Sequence, residues 1–149
     1  MQILNGNMMR RKRFIRLIPA ALIMLLIFLH SAMPADMSSA ESGFLVDILT
    51  KVFHLTISVE TLTFIIRKAA HFTEYLLLGL SLRWGMESSF LHVWLIGVVY
   101  AVTDEIHQLF VPGRSCEFRD ICIDAAGVLA GVLLMRAIRR RRIRKTRAK

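Results

Sequence analysis

Residues Phe90–Val102, with the sequence FLHVWLIGVVYAV, form a nearly continuous apolar run. Three further runs of this kind are Leu17–Leu29, Ala69–Leu82 and Ile121–Met135. Apolar residues make up 55% of the 149 residues, although the chain also carries 20 Lys and Arg. A soluble domain of this size has too small a core to bury so many apolar side chains. The runs therefore predict an all-α, polytopic membrane protein, because a helix satisfies its own backbone hydrogen bonds in lipid.

A helix needs about 20 mostly apolar residues to cross a membrane. Each run reaches this length when the residues that flank it are included. The short segment Gly85–Ser89 predicts that the second and third spans pack antiparallel, and Pro112-Gly113 predicts a turn after the third. A basic start and an apolar run also describe a signal peptide, but no small-x-small cleavage site follows, which favours an uncleaved anchor. The four predicted spans are Phe14–Ala32, Ile65–Trp84, Phe90–Phe110 and Ile121–Ile138.

The basic residues are distributed unevenly over the two sides that these spans define. With both termini on one side, 15 of the 20 Lys and Arg lie on that side and 5 on the other. Because basic loops stay in the cytoplasm, we predict cytoplasmic N and C termini. The five outer residues are Lys51, Arg67, Lys68, Arg114 and Arg119.

The basic tail, residues 136–149, directly follows an apolar run and has no aromatic residue on which a base could stack. We therefore expect it to contact the bilayer and its anionic lipids, and we expect no nucleic-acid partner. Cys116 and Cys122 lack a CxxC pattern; a disulfide between them is an open but disfavoured alternative.

The segment between the first two spans, residues 33–64, is predicted to lie outside. Ser38–Glu41 has the spacing of a capping box, so a helix can begin there. Apolar residues from Phe44 to Phe53 then recur at helical spacing. This pattern predicts an external amphipathic helix that lies on the membrane surface or covers the bundle.

Polar residues interrupt the spans near one end only. Because the second and fourth spans run inward and the third runs outward, all of these residues are expected at the outer side, in one site. Charged groups inside a membrane are costly and usually functional; the alternative is a set of ion pairs that only lock the helices together. The residues are Arg67, Lys68, His71, Glu74 and Tyr75, then Asp104, Glu105, His107 and Gln108, then Arg114, Arg119, Asp120 and Asp124.

Two motifs carry a resemblance to a known family. Lys68–Gly79 reads KAAHFTEYLLLG and Thr103–Arg114 reads TDEIHQLFVPGR. With Asp120–Gly131 they resemble the VanZ-like family of bacterial membrane proteins, which is associated with resistance to the glycopeptide antibiotic teicoplanin. The family pattern usually has Asn at the position of Asp124 and often Ser at that of Thr103. The resemblance implies a single domain, residues 1–149 with a core at 67–131, in the bacterial cytoplasmic membrane, and it supplies no reaction.

Three functions are compatible with these residues. In the first, the arginines and Lys68, with Tyr75, Gln108, Asp120 and Asp124, bind an anionic or amphiphilic envelope molecule such as a lipid-linked precursor or a lipoglycopeptide. In the second, the protein is an enzyme acting on a lipid-linked phosphate. In the third, the polar residues only hold the bundle. The candidate catalytic residues are His71, Glu74, Asp104, Glu105 and His107.

No cofactor motif is found in the sequence. His-x-x-Glu and Asp-Glu-x-His differ from the HExxH zinc signature, so no metal site is predicted. Two histidines among carboxylates leave metal-dependent hydrolysis open as a variant of the enzyme hypothesis. Gly127 and Gly131 form a small-xxx-small pattern, which predicts close helix packing.

Overall fold

The computed structural model describes residues 2–53 and 57–147, without the side chains of residues 2–13, 41, 53 and 147. These ranges form α-helices and no β-strand, which confirms the predicted all-α class. The Arg10–Arg13 side chains, the Glu41 side chain of the predicted capping box and residues 148–149 of the basic tail lie outside the described part. The helices are α1 (Gln2–Ser31), α2 (Ala35–Phe53), α3 (Val59–Gly85), α4 (Phe90–Gln108) and α5 (Phe118–Arg147).

The helices begin where small polar residues accept the first free backbone N–H groups. Ser58 caps α3 by accepting the N–H of Thr61, and Ser89 caps α4 by accepting that of His92, each at 3.3 Å. The predicted helix start at Ser38 is wrong. Helix α2 begins at Ala35, because the N–H of Ser38 already donates to the carbonyl of Pro34 at 3.1 Å.

Two of the described helices contain stretches long and apolar enough to cross a membrane, at Phe14–Ser31 and Phe118–Thr146. Large apolar side chains also remain exposed on the outside of the bundle; Leu26 in α1 is 64% exposed and Val99 in α4 is 62% exposed. A soluble monomer rarely presents extended apolar surface of this kind. Both features suggest a helical membrane protein.

Helix α3 packs most closely against α5, through glycines. A Cβ atom added to Gly127 would lie 2.6 Å from the carbonyl oxygen of Phe72, and one added to Gly131 would collide with that of Leu76. The predicted small-xxx-small contact is therefore confirmed, since only glycine permits this separation of the two backbones. The core beside the contact consists of Tyr75, Leu78, Leu82, Val93, Ala101, Val128 and Val132, with Ala20 and Ile27 from α1.

Contacts at the two ends of the bundle define the direction of the helices. At one end Arg16 pairs with Glu87 at 3.2 Å, and Arg139 donates to the carbonyl of Trp84 at 2.9 Å. These contacts join the first half of α1, the α3–α4 turn and the second half of α5. At the other end Arg114 donates to the carbonyl of Met33 at 3.2 Å. Helices α1 and α4 therefore run in one direction, and α3 and α5 run in the other.

Candidate functional site

Three polar side chains from three helices meet inside the bundle. His71 in α3, Glu105 in α4 and Asp124 in α5 each place one nitrogen or oxygen atom within 4.8 Å of those of the other two. The shortest separation recorded among them, 3.3 Å, joins His71 Nδ1 to Asp124 Oδ1. Glu105 and Asp124 are fully buried. The polar beginning of α3, the end of α4 and the beginning of α5 thus lie side by side.

Glu105 is held in place by two hydrogen bonds. The side-chain amide of Gln108 donates to Glu105 Oε1 at 3.1 Å, and the backbone N–H of Glu117 donates to Oε2 at 2.9 Å. The first bond spans one turn of α4, and the second comes from the segment that leads into α5. The carboxylate is therefore fixed in orientation by two elements of the fold.

Asp124 has no such support. Neither of its carboxylate oxygens, nor His71 Nδ1 beside them, makes a hydrogen bond to any described residue. The hydroxyl of Tyr75 and Asp104 Oδ1 are likewise buried and unpaired within the described ranges. Since buried polar groups are nearly always hydrogen-bonded, this group of atoms is suited to receive a ligand, an ion or water.

Lys68 lies at the edge of this group and pairs with acids at the start of α5. Its ammonium nitrogen is 2.5 Å from Asp120 Oδ1 and 3.4 Å from Glu117 Oε2. Arg119 donates to the same Glu117 oxygen at 2.8 Å. The pKa of Glu117 lies below its ordinary value, mainly because Arg119 hydrogen bonds to its carboxylate. Burial opposes this effect and Lys68 adds to it. Lys68 and Arg119 are therefore already partly neutralised by protein carboxylates.

Arg67 and Arg114, unlike Lys68 and Arg119, do not pair with a carboxylate of the described residues. Both line a cavity of about 180 Å³ between α2, α3 and the loop after α4. Arg114 donates only to backbone carbonyls, of Met33 and His30, and Arg67 has no partner in the described part of the chain. Burial, together with the charge of Arg67, lowers the pKa of Arg114. Two half-buried cations thus share one small cavity, which is also lined by His30, Ser38, Ser42, Leu45, Ile66, Ala70 and His71.

Comparison with protein families identifies the chain. The model of the VanZ/LLP1 family matches residues 16–139, which is most of the sequence. The chain belongs to the VanZ/LLP1 family. No curated protein and no solved structure gives a match.

The remaining predicted site residues of this VanZ/LLP1 protein lie around the central group, facing α1. The ring of His107 packs on that of Phe28, with 4.6 Å between their centroids. Asp104 is buried, and Tyr75 lies against Tyr100 with 6.2 Å between ring centroids. Their proposed catalytic or binding roles remain predictions, since the geometry shows only their positions.

Sequence analysis did not single out His30. Its Nδ1 lies 2.6 Å from Glu74 Oε1, so α1 contributes a polar residue to the site. The only sequence signal is a histidine at the end of an otherwise apolar span. The disfavoured disulfide is absent: Cys116 and Cys122 are both free and exposed.

Proposed function

We propose that this protein crosses the bacterial cytoplasmic membrane four times and binds an anionic, amphiphilic envelope molecule at the outer side. Helices α1, α3, α4 and α5 are the spans, with both termini in the cytoplasm. The arrangement of the helix ends supports this topology. The end that carries Arg16 and Arg139 is the basic, cytoplasmic one, and the end that carries Arg114 and Lys68 is the outer one.

The cavity shared by Arg67 and Arg114 carries this proposal. Two guanidinium groups in one cavity repel each other, and neither is paired with a carboxylate among the described residues. A phosphate or carboxylate group removes this repulsion and accepts paired hydrogen bonds from the planar guanidinium. Arg114 reaches its backbone partners through Nε and one terminal nitrogen, which leaves further N–H donors for an anion.

The apolar part of the cavity accounts for the amphiphilic character of the ligand. Leu45, Ile66 and Ala70 line the wall, and exposed apolar side chains of α2 and α3 continue outside it, among them Phe44 and Ile65. A lipid-linked precursor or a lipoglycopeptide combines an anionic head with an apolar chain. Such a molecule places its head between the arginines and its chain along the apolar helix surface.

Binding of a polyprenyl phosphate to purified protein tests the proposal. Arg67→Gln removes one guanidinium group that has no described partner in the protein, so we expect affinity to fall by about 1.5–3 kcal/mol with little change in folding. Arg114→Lys keeps the positive charge but loses the planar guanidinium group, which forms paired hydrogen bonds to an anion. We expect cells that carry this variant to be less protected against a lipoglycopeptide, at an unchanged protein level.

Lys51→Gln is the matched control. Lys51 is also basic and on the proposed outer side, but it is exposed and pairs with Asp47 at 2.6 Å. Native mass spectrometry reports the bound lipid for each variant. Equal affinity of the wild type, Arg67→Gln and Lys51→Gln proteins would show that the arginine cavity is not the binding site.

A second candidate function is acid–base catalysis on a lipid-linked phosphate. It is favoured by His71, which lines the cavity and also lies 3.3 Å from Asp124, as a general base beside a carboxylate would. We expect His71→Ala or Glu105→Gln to abolish a product visible in lipid extracts. Unchanged lipids would refute the catalytic role. A fall in the amount of folded protein would indicate that these residues only hold the helices together.

The basic tail is proposed to bind anionic lipid at the inner surface. Arg139 and Arg142 of the tail and Arg16 of α1 line a cavity of about 480 Å³, next to the apolar side chains of Trp84 and Ile138. Three cations above apolar walls suit a phospholipid headgroup at the interface.

A further inference from the structure

We infer that His71, Glu105 and Asp124 form a binding site for one divalent transition-metal ion. This inference goes beyond the proposed binding of an anionic amphiphile and does not depend on it. The three residues come from α3, α4 and α5, so the ion would connect the helices that carry the polar end of the bundle.

The positions of the donor atoms fit one ion. Two ligands of a tetrahedral ion with bonds of about 2.0–2.1 Å are roughly 3.3 Å apart. This is the separation of His71 Nδ1 and Asp124 Oδ1. The three donor atoms lie within 4.8 Å of one another, so the donor atom of Glu105 needs to approach the other two by at most about 1.5 Å.

The unsatisfied atoms of Asp124 point independently to a ligand at this position. Its side chain is fully buried, and neither oxygen makes a hydrogen bond to the residues that the structure describes. His71 Nδ1 is equally without a hydrogen bond, although it faces the carboxylate. A metal ion satisfies all three atoms together, because carboxylate oxygens and a neutral imidazole nitrogen are its ligands.

The charges of the site lead to the same inference. Glu105 and Asp124 are both fully buried, and no Lys or Arg side chain in the described ranges pairs with either. The nearby Lys68 pairs with Asp120 and Glu117. A divalent cation neutralises two buried carboxylates, whose charges are otherwise costly in a medium of low dielectric constant.

The donor set selects the class of metal. One imidazole with two carboxylates and no thiolate suits Zn²⁺ or Mn²⁺, whereas Mg²⁺ and Ca²⁺ prefer oxygen ligands throughout. Three protein ligands also leave a coordination position open, as in catalytic zinc sites.

Residues around the ligands are arranged as a metal site requires. Gln108 and the backbone N–H of Glu117 hydrogen bond to the two oxygens of Glu105, which fixes the carboxylate while leaving a lone pair on each oxygen. His71 also lines the cavity that holds Arg67 and Arg114. A ligand in that cavity would therefore have its anionic headgroup next to the metal ion.

Metal retention by the purified full-length chain in detergent tests the inference. After treatment with EDTA, the protein is incubated with Zn²⁺, Mn²⁺ or Mg²⁺ and passed through a desalting column. We expect the wild type to retain about one Zn²⁺ or Mn²⁺ per chain and no Mg²⁺. The bound ion raises the Tm of the wild type, a measurement that needs no variant.

The variants locate the ion. Asp124→Asn and His71→Gln are expected to retain less than about a tenth of the metal, and Gln108→Ala to weaken binding by about tenfold. Asp124→Asn removes the buried charge that faces His71 without changing the shape of the side chain, so the variant folds without metal. Asp47→Asn, which changes an exposed carboxylate on α2, retains the full amount.

Two results would overturn the inference: a wild type that neither retains Zn²⁺ or Mn²⁺ nor gains in Tm, or an Asp124→Asn protein that binds metal as the wild type does. Arg67→Gln separates this test from that of the proposed function. It is expected to lose polyprenyl phosphate while keeping its metal. If Arg67→Gln loses lipid affinity but the wild type binds no metal, the proposed function stands and only the metal site is ruled out.

Discussion

The ammonium group of Lys68 contacts both carboxylate oxygens of Asp120, at 2.5 and 2.8 Å, and so joins α3 to the first turn of α5. Both side chains are largely withdrawn from solvent, with exposed fractions of 17% for Lys68 and 9% for Asp120. Sequence analysis assigned both residues to ligand binding. The contact shows that they first neutralise each other, which leaves Arg67 and Arg114 as the cations with most capacity for an external anion.

The Lys68–Asp120 pair is expected to contribute strongly to stability. Asp120→Asn leaves the ammonium group of Lys68 with only the longer contact to Glu117, so we expect the free energy of unfolding to fall by about 3 kcal/mol. Unfolding in mixed detergent measures the change. Asp47→Asn is the control, because its pair with Lys51 is exposed and worth about 0.5 kcal/mol. Similar small losses in both variants would contradict the prediction.

The glycine contact between α3 and α5 is expected to tolerate no side chain. Gly127→Ala places a Cβ atom 2.6 Å from the carbonyl oxygen of Phe72, and we expect a loss of about 1–3 kcal/mol as the helices separate. Gly43→Ala in α2 is the matched control, since a Cβ there meets nothing within 4 Å. Alanine favours a helix over glycine by about 1 kcal/mol, so this variant should be as stable as the wild type or more so. A neutral Gly127→Ala would show that α3 and α5 pack less closely.

The proposed topology predicts which cysteine positions can be labelled from outside the cell. Cys116 is exposed in the segment between α4 and α5, which the proposal places at the outer surface. In a Cys122→Ser background, a membrane-impermeant maleimide should label Cys116 in intact spheroplasts. In a chain without native cysteines, Ser88→Cys in the α3–α4 turn should react only after the membrane is opened. The reverse pattern would invert the topology and move the arginine cavity to the cytoplasmic side.

The cavity lined by Arg16, Arg139 and Arg142 predicts which arginines retain anionic lipid. Arg142→Gln removes a cation that lines the cavity, and we expect affinity for phosphatidylglycerol to fall by about 1 kcal/mol. Arg140→Gln is the control, because Arg140 lies on the same tail but outside the cavity lining. Native mass spectrometry compares the retained lipid. Equal losses in both variants would indicate a diffuse attraction to the membrane surface instead of a site.

The helices and the clustering of their polar ends could be predicted from the sequence. Each apolar run lies within a helix. A helix pairs its own backbone N–H and C=O groups, and these runs contain few polar side chains that would have to be buried. The helix boundaries were less accurate: α2 begins at Ala35 and α3 at Val59, where local caps and Pro34 decide the start. Helix boundaries depend on hydrogen bonds between residues a few positions apart, and a hydropathy pattern does not reveal these bonds.

The pairing of the polar residues was decided only by the tertiary structure. Spacing along α4 places Gln108 one turn from Glu105, to which it hydrogen bonds, but it does not indicate that His107 packs on Phe28 of α1. The rotation of each helix about its axis selects these partners, and that rotation is set by how closely the backbones approach at glycines such as Gly127. The pair of His30 with Glu74 joins residues 44 positions apart. Spacing along one helix therefore determines which residues share a face, and only the packing of several helices determines what that face meets.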